Sequence, residues 1–191
     1  MKISLRRNLL AEIESPVILE THGGYGKIFE LCYADIISGV VFEKDPDKAG
    51  FLAGQRPTWA VYEGDCLKGI AARVGSHLPV NFIDLDPYGS PWEIINAFFE
   101  SWDEFPDHLA VAVNDGLRQK CKMNGAWSVG VLAAKVARYG NQALYADYKE
   151  ICRELLEEKA ARAGYRLSRW TAYYCGFRGQ MTHYGAVLER T

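Results

Sequence analysis

The sequence predicts an α/β fold: a mostly parallel, seven-stranded sheet with helices on both faces and a C-terminal antiparallel hairpin. Two observations carry this expectation. Short apolar, β-branched runs recur at residues 17–19, 39–42, 58–62, 80–83 and 109–113, each followed by a turn and a helix-like segment. That is the rhythm of βαβ units in a parallel sheet. The pattern then changes near the C-terminus, where residues 166–175 and 180–188 are aromatic and β-branched and flank Gly176-Phe177-Arg178-Gly179, the composition of a closing hairpin.

The helical stretches between these runs are residues 27–37, 46–53, 67–74, 92–102, 128–138 and, longest, 142–163. In the last, Leu144, Tyr148, Ile151, Cys152 and Leu155 mark one apolar face, and Gly164 is placed to stop the helix. Residues 115–127 read as an irregular loop. With 191 residues and 49% hydrophobic content, the expectation is one domain over 1–191, with 1–15 as an N-terminal helical arm and 165–191 as the hairpin.

Composition narrows the chemistry. Five cysteines lie far apart without a CxxC pair, so neither a zinc site nor a disulfide framework is encoded, and free thiols in a reducing compartment are expected. Apolar stretches fall short of the roughly 20 residues that span a bilayer. Lys2, Arg6 and Arg7 are followed by Glu12 and Glu14 rather than a long apolar run, so the expectation is a cytoplasmic protein without membrane association. A net charge of −2 offers no global attraction to a polyanion, which leaves nucleic-acid binding to a local patch.

The first strand runs into Glu20-Thr21-His22-Gly23-Gly24-Tyr25-Gly26, where glycines let the backbone turn sharply and approach a ligand. This stretch resembles motif I, E-x-G-x-G-x-G, of the class I S-adenosylmethionine-dependent methyltransferases, with Glu20, Gly24 and Gly26 in register and His22 at the first glycine position. A tight structural turn is the competing reading. Strand two ends at Glu43, placed to accept ribose hydroxyls or to be a solvated strand-end charge. Strand three ends in Glu63-Gly64-Asp65-Cys66, where Asp65 could accept an adenine amino group beside Cys66, or simply cap the next helix. An adenosyl ligand across the sheet's switch point requires such a series. The resemblance thus implies a Rossmann-like class I methyltransferase fold and S-adenosylmethionine as cofactor, with Glu20, His22, Gly24, Gly26, Glu43, Asp65, Cys66 and Asp84 around it.

Strand four ends in Asp84-Leu85-Asp86-Pro87-Tyr88-Gly89-Ser90-Pro91. This segment resembles the (D/N)PP(Y/F) motif of amino-group methyltransferases, and more closely the D-P-F/Y-G-S-P segment of the tRNA guanine-N2 dimethyltransferases. Residues 109–116 resemble the same family's fifth strand. An exocyclic amine is a weak nucleophile, so a site must orient it and accept its N–H groups. Asp86 is the candidate acceptor, Pro87 stiffens the turn, Tyr88 offers a stacking platform and Gly89 admits a planar substrate. An ordinary Asp-Pro-Tyr-Gly turn is the plain alternative. Asp84 is assigned either to the methionine amino group or to support of the turn. This chemistry calls for no metal.

Between residues 116 and 138, Arg118, Lys120, Lys122, Lys135 and Arg138 meet no acid in the sequence and lie near Trp127. They form a candidate substrate-binding patch for nucleic acid or else a solvated face. The resemblance covers the catalytic core without a target-recognition domain, which makes a partner subunit or a homo-oligomer an expectation. The leading function is N-methylation of a nucleobase in RNA, including tRNA, or DNA, or of a similar planar amine. A noncatalytic adenosyl-binding or assembly subunit is one alternative, and a nicotinamide-dependent oxidoreductase, weakened by the lack of G-x-G-x-x-G, is the other.

Overall fold

A computed structural model describes residues 1–122 and 130–191. Helix α1 (Lys2–Leu10) precedes β1 (Val17–Glu20), a wide π-helical turn (Phe29–Tyr33), β2 (Ser38–Glu43), α2 (Pro46–Gln55), β3 (Ala60–Glu63) and α3 (Cys66–Ala71). Then come β4 (Phe82–Leu85), α4 (Trp92–Ser101), β5 (His108–Asp115), α5 (Arg118–Lys122), α6 (Gly130–Tyr139), α7 (Asn141–Ala146), α8 (Tyr148–Arg162), β6 (Tyr165–Cys175) and β7 (Met181–Arg190). The seven strands form one sheet in the order β3-β2-β1-β4-β5-β7-β6, in which only β7 runs antiparallel to its neighbours. The expected mixed sheet with its closing hairpin is therefore present.

Alternation along the strands divides the core into two layers. Leu19, Val40, Phe42, Ile83, Leu85, Val111 and Val113 face α3, α4 and α8, whereas Ile18, Val41, Phe82, Ala110 and Ala112 face α1, α2 and the π-helical turn. By the same alternation Asp84 and Asn114 point to the α1 side. Helix α1 lies close on β7 because Gly185 leaves room for it: a Cβ there would sit 2.6 Å from Leu9 Cδ1.

Three helical expectations are corrected. Residues 27–37 are not one α-helix: the helical start at residues 27–28 widens into the π-helical Phe29–Tyr33 and stops there, as Tyr33 is drawn inward to reach Asp84 and the chain begins β2 at Ser38. The stretch 142–163 breaks at Asp147, where the Tyr174 hydroxyl enters the break, donating to Ala146 O at 3.1 Å and accepting Lys149 N–H at 3.3 Å. A side chain thus replaces the lost rungs. The supposed loop at 115–127 starts as strand and helix, since Asp115 ends β5 and accepts Leu117 N–H at 2.7 Å before α5; residues 123–127 lie outside the described residues.

Asp115 faces the α4–α8 layer and is wholly buried, accepting Tyr148 O–H at 3.0 Å, with Cys152 Sγ at 3.7 Å. Burial pushes its carboxyl up from 3.8 to about 7 against these donors. The folded state therefore binds this proton more tightly than the unfolded chain. Its stabilising contribution is complete below about pH 4 and is lost as pH rises through 7. Asp115→Asn, whose amide can still accept from Leu117 N–H and meet the Tyr148 hydroxyl, is expected to gain on the order of 3 kcal/mol relative to wild type between pH 4 and 8. Denaturant unfolding across that range checks this, and parallel curves would count against a buried, protonated Asp115.

Candidate active site

The loop after β1 and the ends of β2, β3 and β4 meet at one edge of the sheet. At Gly24 the backbone takes φ +56° and an added Cβ would meet nothing within 4 Å, so the space above this residue is open. Its N–H donates to Glu43 Oε2 at 2.7 Å, while Asp45 N–H donates to Glu43 Oε1 at 2.9 Å. Glu43 therefore ties the end of β2 to the glycine loop. His22, in the same loop, reaches toward α3, with Nδ1 at 2.8 Å from Thr21 Oγ1 and Nε2 at 3.7 Å from Cys66 Sγ. Burial keeps the imidazole neutral, lowering its pKa despite the surrounding charges of Asp86, Glu43, Asp65 and Asp84. Burial likewise pushes the Cys66 thiol up to about 11. Asp65 caps α3, accepting Lys68 N–H at 3.1 Å, and Lys44 Nζ lies 3.9 Å from its carboxylate.

Two of the acids are engaged inside the protein. Glu20 is buried in an ion pair with Arg56, whose guanidinium stacks 4.3 Å from the Phe29 ring centre. Burial lifts the Glu20 carboxyl to about 7 against the pull of Arg56. Asp84 accepts both Arg6 Nε at 2.7 Å and Nη2 at 2.5 Å, a bidentate pair, and also Tyr33 O–H at 2.6 Å. Arg6 and Asp84 are each 1% exposed or less. These partners use Asp84 within the core, as support for the β4 end.

Asp86, two residues on, remains partly open. Lys2 Nζ lies 2.5 Å from Oδ2, and Asn114 Nδ2 donates to Oδ1. Burial opposes ionisation, but Lys2, Arg6 and Asn114 outweigh it and hold this carboxyl below its usual range. Tyr88 projects fully into solvent, and Gly89 O accepts Gly116 N–H at 3.0 Å, which links the β4 turn to the end of β5.

The spacing of α1 matches the spacing of β4. Residues four apart on a helix are separated by about 6 Å along its axis, and residues two apart on a strand by nearly 7 Å. Lys2 and Arg6 therefore face Asp86 and Asp84 in order. Neither base nor Asn114 was among the sequence-derived site residues. The four-residue spacing of Lys2 and Arg6 was the available signal, but nothing local points from it to acids 78 and 84 residues away.

The basic patch is corrected at Arg118 and Lys135, while Arg138 is exposed. Arg118 is buried, donates to Tyr145 O and Gly179 O, and stacks 3.5 Å from the Tyr174 ring centre, so it clamps α7 to the hairpin. Lys135 pairs at 2.9 Å with both Glu154 and Glu158, acids supplied by α8. Lys120 is exposed, while Trp127 and the Lys122 side chain lie outside the described residues.

The glycine loop and the Asp86 turn sit on a fold that is shared with solved structures of methyltransferases. The chain has the class I methyltransferase fold. Trm1 from Pyrococcus horikoshii, solved with S-adenosyl-L-methionine, matches with a TM-score of 0.68 at 14% identity over 99% of this chain. The match covers 54% of Trm1, so this chain spans about half its length. TYW2 from M. jannaschii, in complex with AdoMet, has a TM-score of 0.59 at 14% identity, covering 100% of this chain and 76% of that one. The N-methyltransferase NodS from Bradyrhizobium japonicum WM9 has a TM-score of 0.58 at 12% identity, covering 99% and 93%. No protein-family model matches the sequence, and no curated protein matches it.

Proposed function

We propose that this chain is an S-adenosylmethionine-dependent methyltransferase that modifies an amino group of a nucleobase, in RNA or DNA, or of a similar planar amine. The observation that carries the reading is the β4 turn: an ionised, partly open Asp86 carboxylate beside a fully exposed Tyr88 ring, next to the glycine loop. The residues present fit the cofactor. Gly24 leaves the space above the loop open, and acids follow at the ends of β2 and β3, as an adenosyl group requires. When bound, the sulfonium supplies an activated methyl group.

The chain's own residues supply orientation. Asp86 has lone pairs left to accept an N–H from the acceptor amine after Lys2 and Asn114 have taken one each. Tyr88 stacks on the planar substrate and fixes its face. The resemblance of Asp86-Pro87-Tyr88-Gly89-Ser90-Pro91 to the guanine-N2 dimethyltransferase segment favours a base amine.

Glu43→Ala is expected to weaken S-adenosylmethionine binding by about 1.5–3 kcal/mol, through loss of charge-assisted hydrogen bonds to the ribose and release of Gly24 N–H. Isothermal calorimetry reads this directly, and unchanged affinity would remove Glu43 from the site. The acceptor class is tested by transfer of labelled methyl from S-adenosylmethionine to separated RNA, DNA, protein and metabolite pools; label in none of them would end the catalytic reading.

A further inference from the structure

We propose that Lys2 and Asn114 are positioning residues for Asp86, which fix the orientation of its carboxylate toward the methyl acceptor. This rests on Asp86 accepting the amine, as argued above. A carboxylate offers about four lone-pair sites over its two oxygens. Lys2 occupies one site on Oδ2 and Asn114 one on Oδ1, which leaves one on each oxygen and prevents rotation of the group.

Asn114 is suited to this task. It is 2% exposed near the end of β5, directly across from His183 of β7 in the strand register, so its rotamer is enclosed. Its Oδ1 is buried with no hydrogen-bond partner among the described residues. Turning the amide over would set that oxygen against the Asp86 carboxylate, so the observed orientation keeps the N–H on Asp86 and leaves the carbonyl unsatisfied. Lys2 adds what a neutral donor cannot: a cation that keeps Asp86 ionised where it is partly desolvated.

The charged and titratable groups around Asp86 are Lys2 and Arg6 from α1, Asp84 in β4, His22 from the loop after β1 and His183 from β7. His183 hydrogen-bonds Tyr173 O–H at 3.0 Å, and burial holds it down to about 4. His22 is also kept neutral by burial. Near neutral pH the cations facing Asp86 are therefore those of α1.

The test is a carboxyl titration by NMR on the full chain labelled at aspartate, with Asp86→Asn to assign the signal. Wild-type Asp86 is expected to titrate below an ordinary aspartate. Lys2→Met should raise its midpoint by about 1–2 pH units and Asn114→Ala should raise it less, while Lys2→Arg restores the low value. On whichever pool takes label from wild type, Lys2→Met and Asn114→Ala should lower kcat by about 10–100-fold with KM for S-adenosylmethionine unchanged, and Lys2→Arg should recover much of that loss. An Asp86 midpoint that neither variant moves overturns the proposal whatever Asp86 does in catalysis. Moved midpoints together with full activity of Asp86→Asn would instead overturn the role of Asp86 and leave its clamp in place. Faster transfer by Lys2→Met would mean that the lysine blocks the acceptor, and would also overturn the proposal.

Discussion

Replacing Asp86 with alanine is expected to slow methyl transfer by about 10²–10⁴-fold and to leave S-adenosylmethionine affinity nearly unchanged. The carboxylate stands at the end of β4, apart from the Gly24–Glu43 contact, so its loss falls on the acceptor side. The fold should survive: Lys2 is 32% exposed and can be hydrated once its partner is gone, and the cost falls on the buried Asn114 amide, which loses its acceptor, about 1–3 kcal/mol. Asp86→Asn is the finer comparison. The amide keeps one acceptor oxygen but loses the charge, so moderate activity in Asn with little in Ala would indicate hydrogen-bond positioning, and equal collapse would indicate the charge. Single-turnover rates on a verified acceptor, with cofactor affinity measured in parallel, separate these results. Full activity in both variants would reduce Asp86-Pro87-Tyr88-Gly89 to a turn.

Arg6→Ala is expected to have the largest effect on stability, a loss of about 3–5 kcal/mol. Removal of the guanidinium strips the buried Asp84 carboxylate of its cation and leaves Tyr33 O–H as its side-chain donor among the described residues. For a chain of this size such a loss lowers the melting temperature by roughly 6–20 °C. Combining Arg6→Ala with Asp84→Asn removes the stranded charge and should recover part of the loss, a coupling that a double-mutant cycle reads. A single mutant within 1 kcal/mol of wild type would show that water or a rearranged partner replaces Arg6 without difficulty. Scanning calorimetry on all three variants decides between these outcomes.

What could be read from the sequence was what local pattern encodes. The parallel strands are short continuous β-branched runs and the closing hairpin is aromatic and β-branched around a Gly-rich turn, and their strands occur within a few residues of the expected positions. The glycine turn and the Asp86-Pro87-Tyr88-Gly89 turn stand out by composition alone. Partnerships across the fold were not legible. From the sequence Asp84 could serve the methionine amino group or support the turn, and the choice falls to support only when Arg6 and Tyr33 are seen against it, 78 and 51 residues away. Lys135 reads as part of an acid-free basic run, yet α8 brings Glu154 and Glu158 onto it. The break at Asp147 escaped for the same reason: Leu144, Tyr148 and Ile151 keep a helical period, and the hydroxyl that supports the interruption belongs to Tyr174 in the hairpin.

The seating of α1 on Gly185 also ties the first helix of the chain to its last strand. This nine-residue helix docks on β5, on β7 and on the π-helical turn, so its full seat exists only once β7 lies beside β5. Closing so long a loop is slow compared with the winding of the βα units. In the finished protein, fraying of α1 exposes both acids while the sheet stays intact, an opening far smaller than global unfolding. How long Asp84 and Asp86 keep their cations is therefore set by how long one short helix stays down, and amide exchange along α1 is the clock that times it.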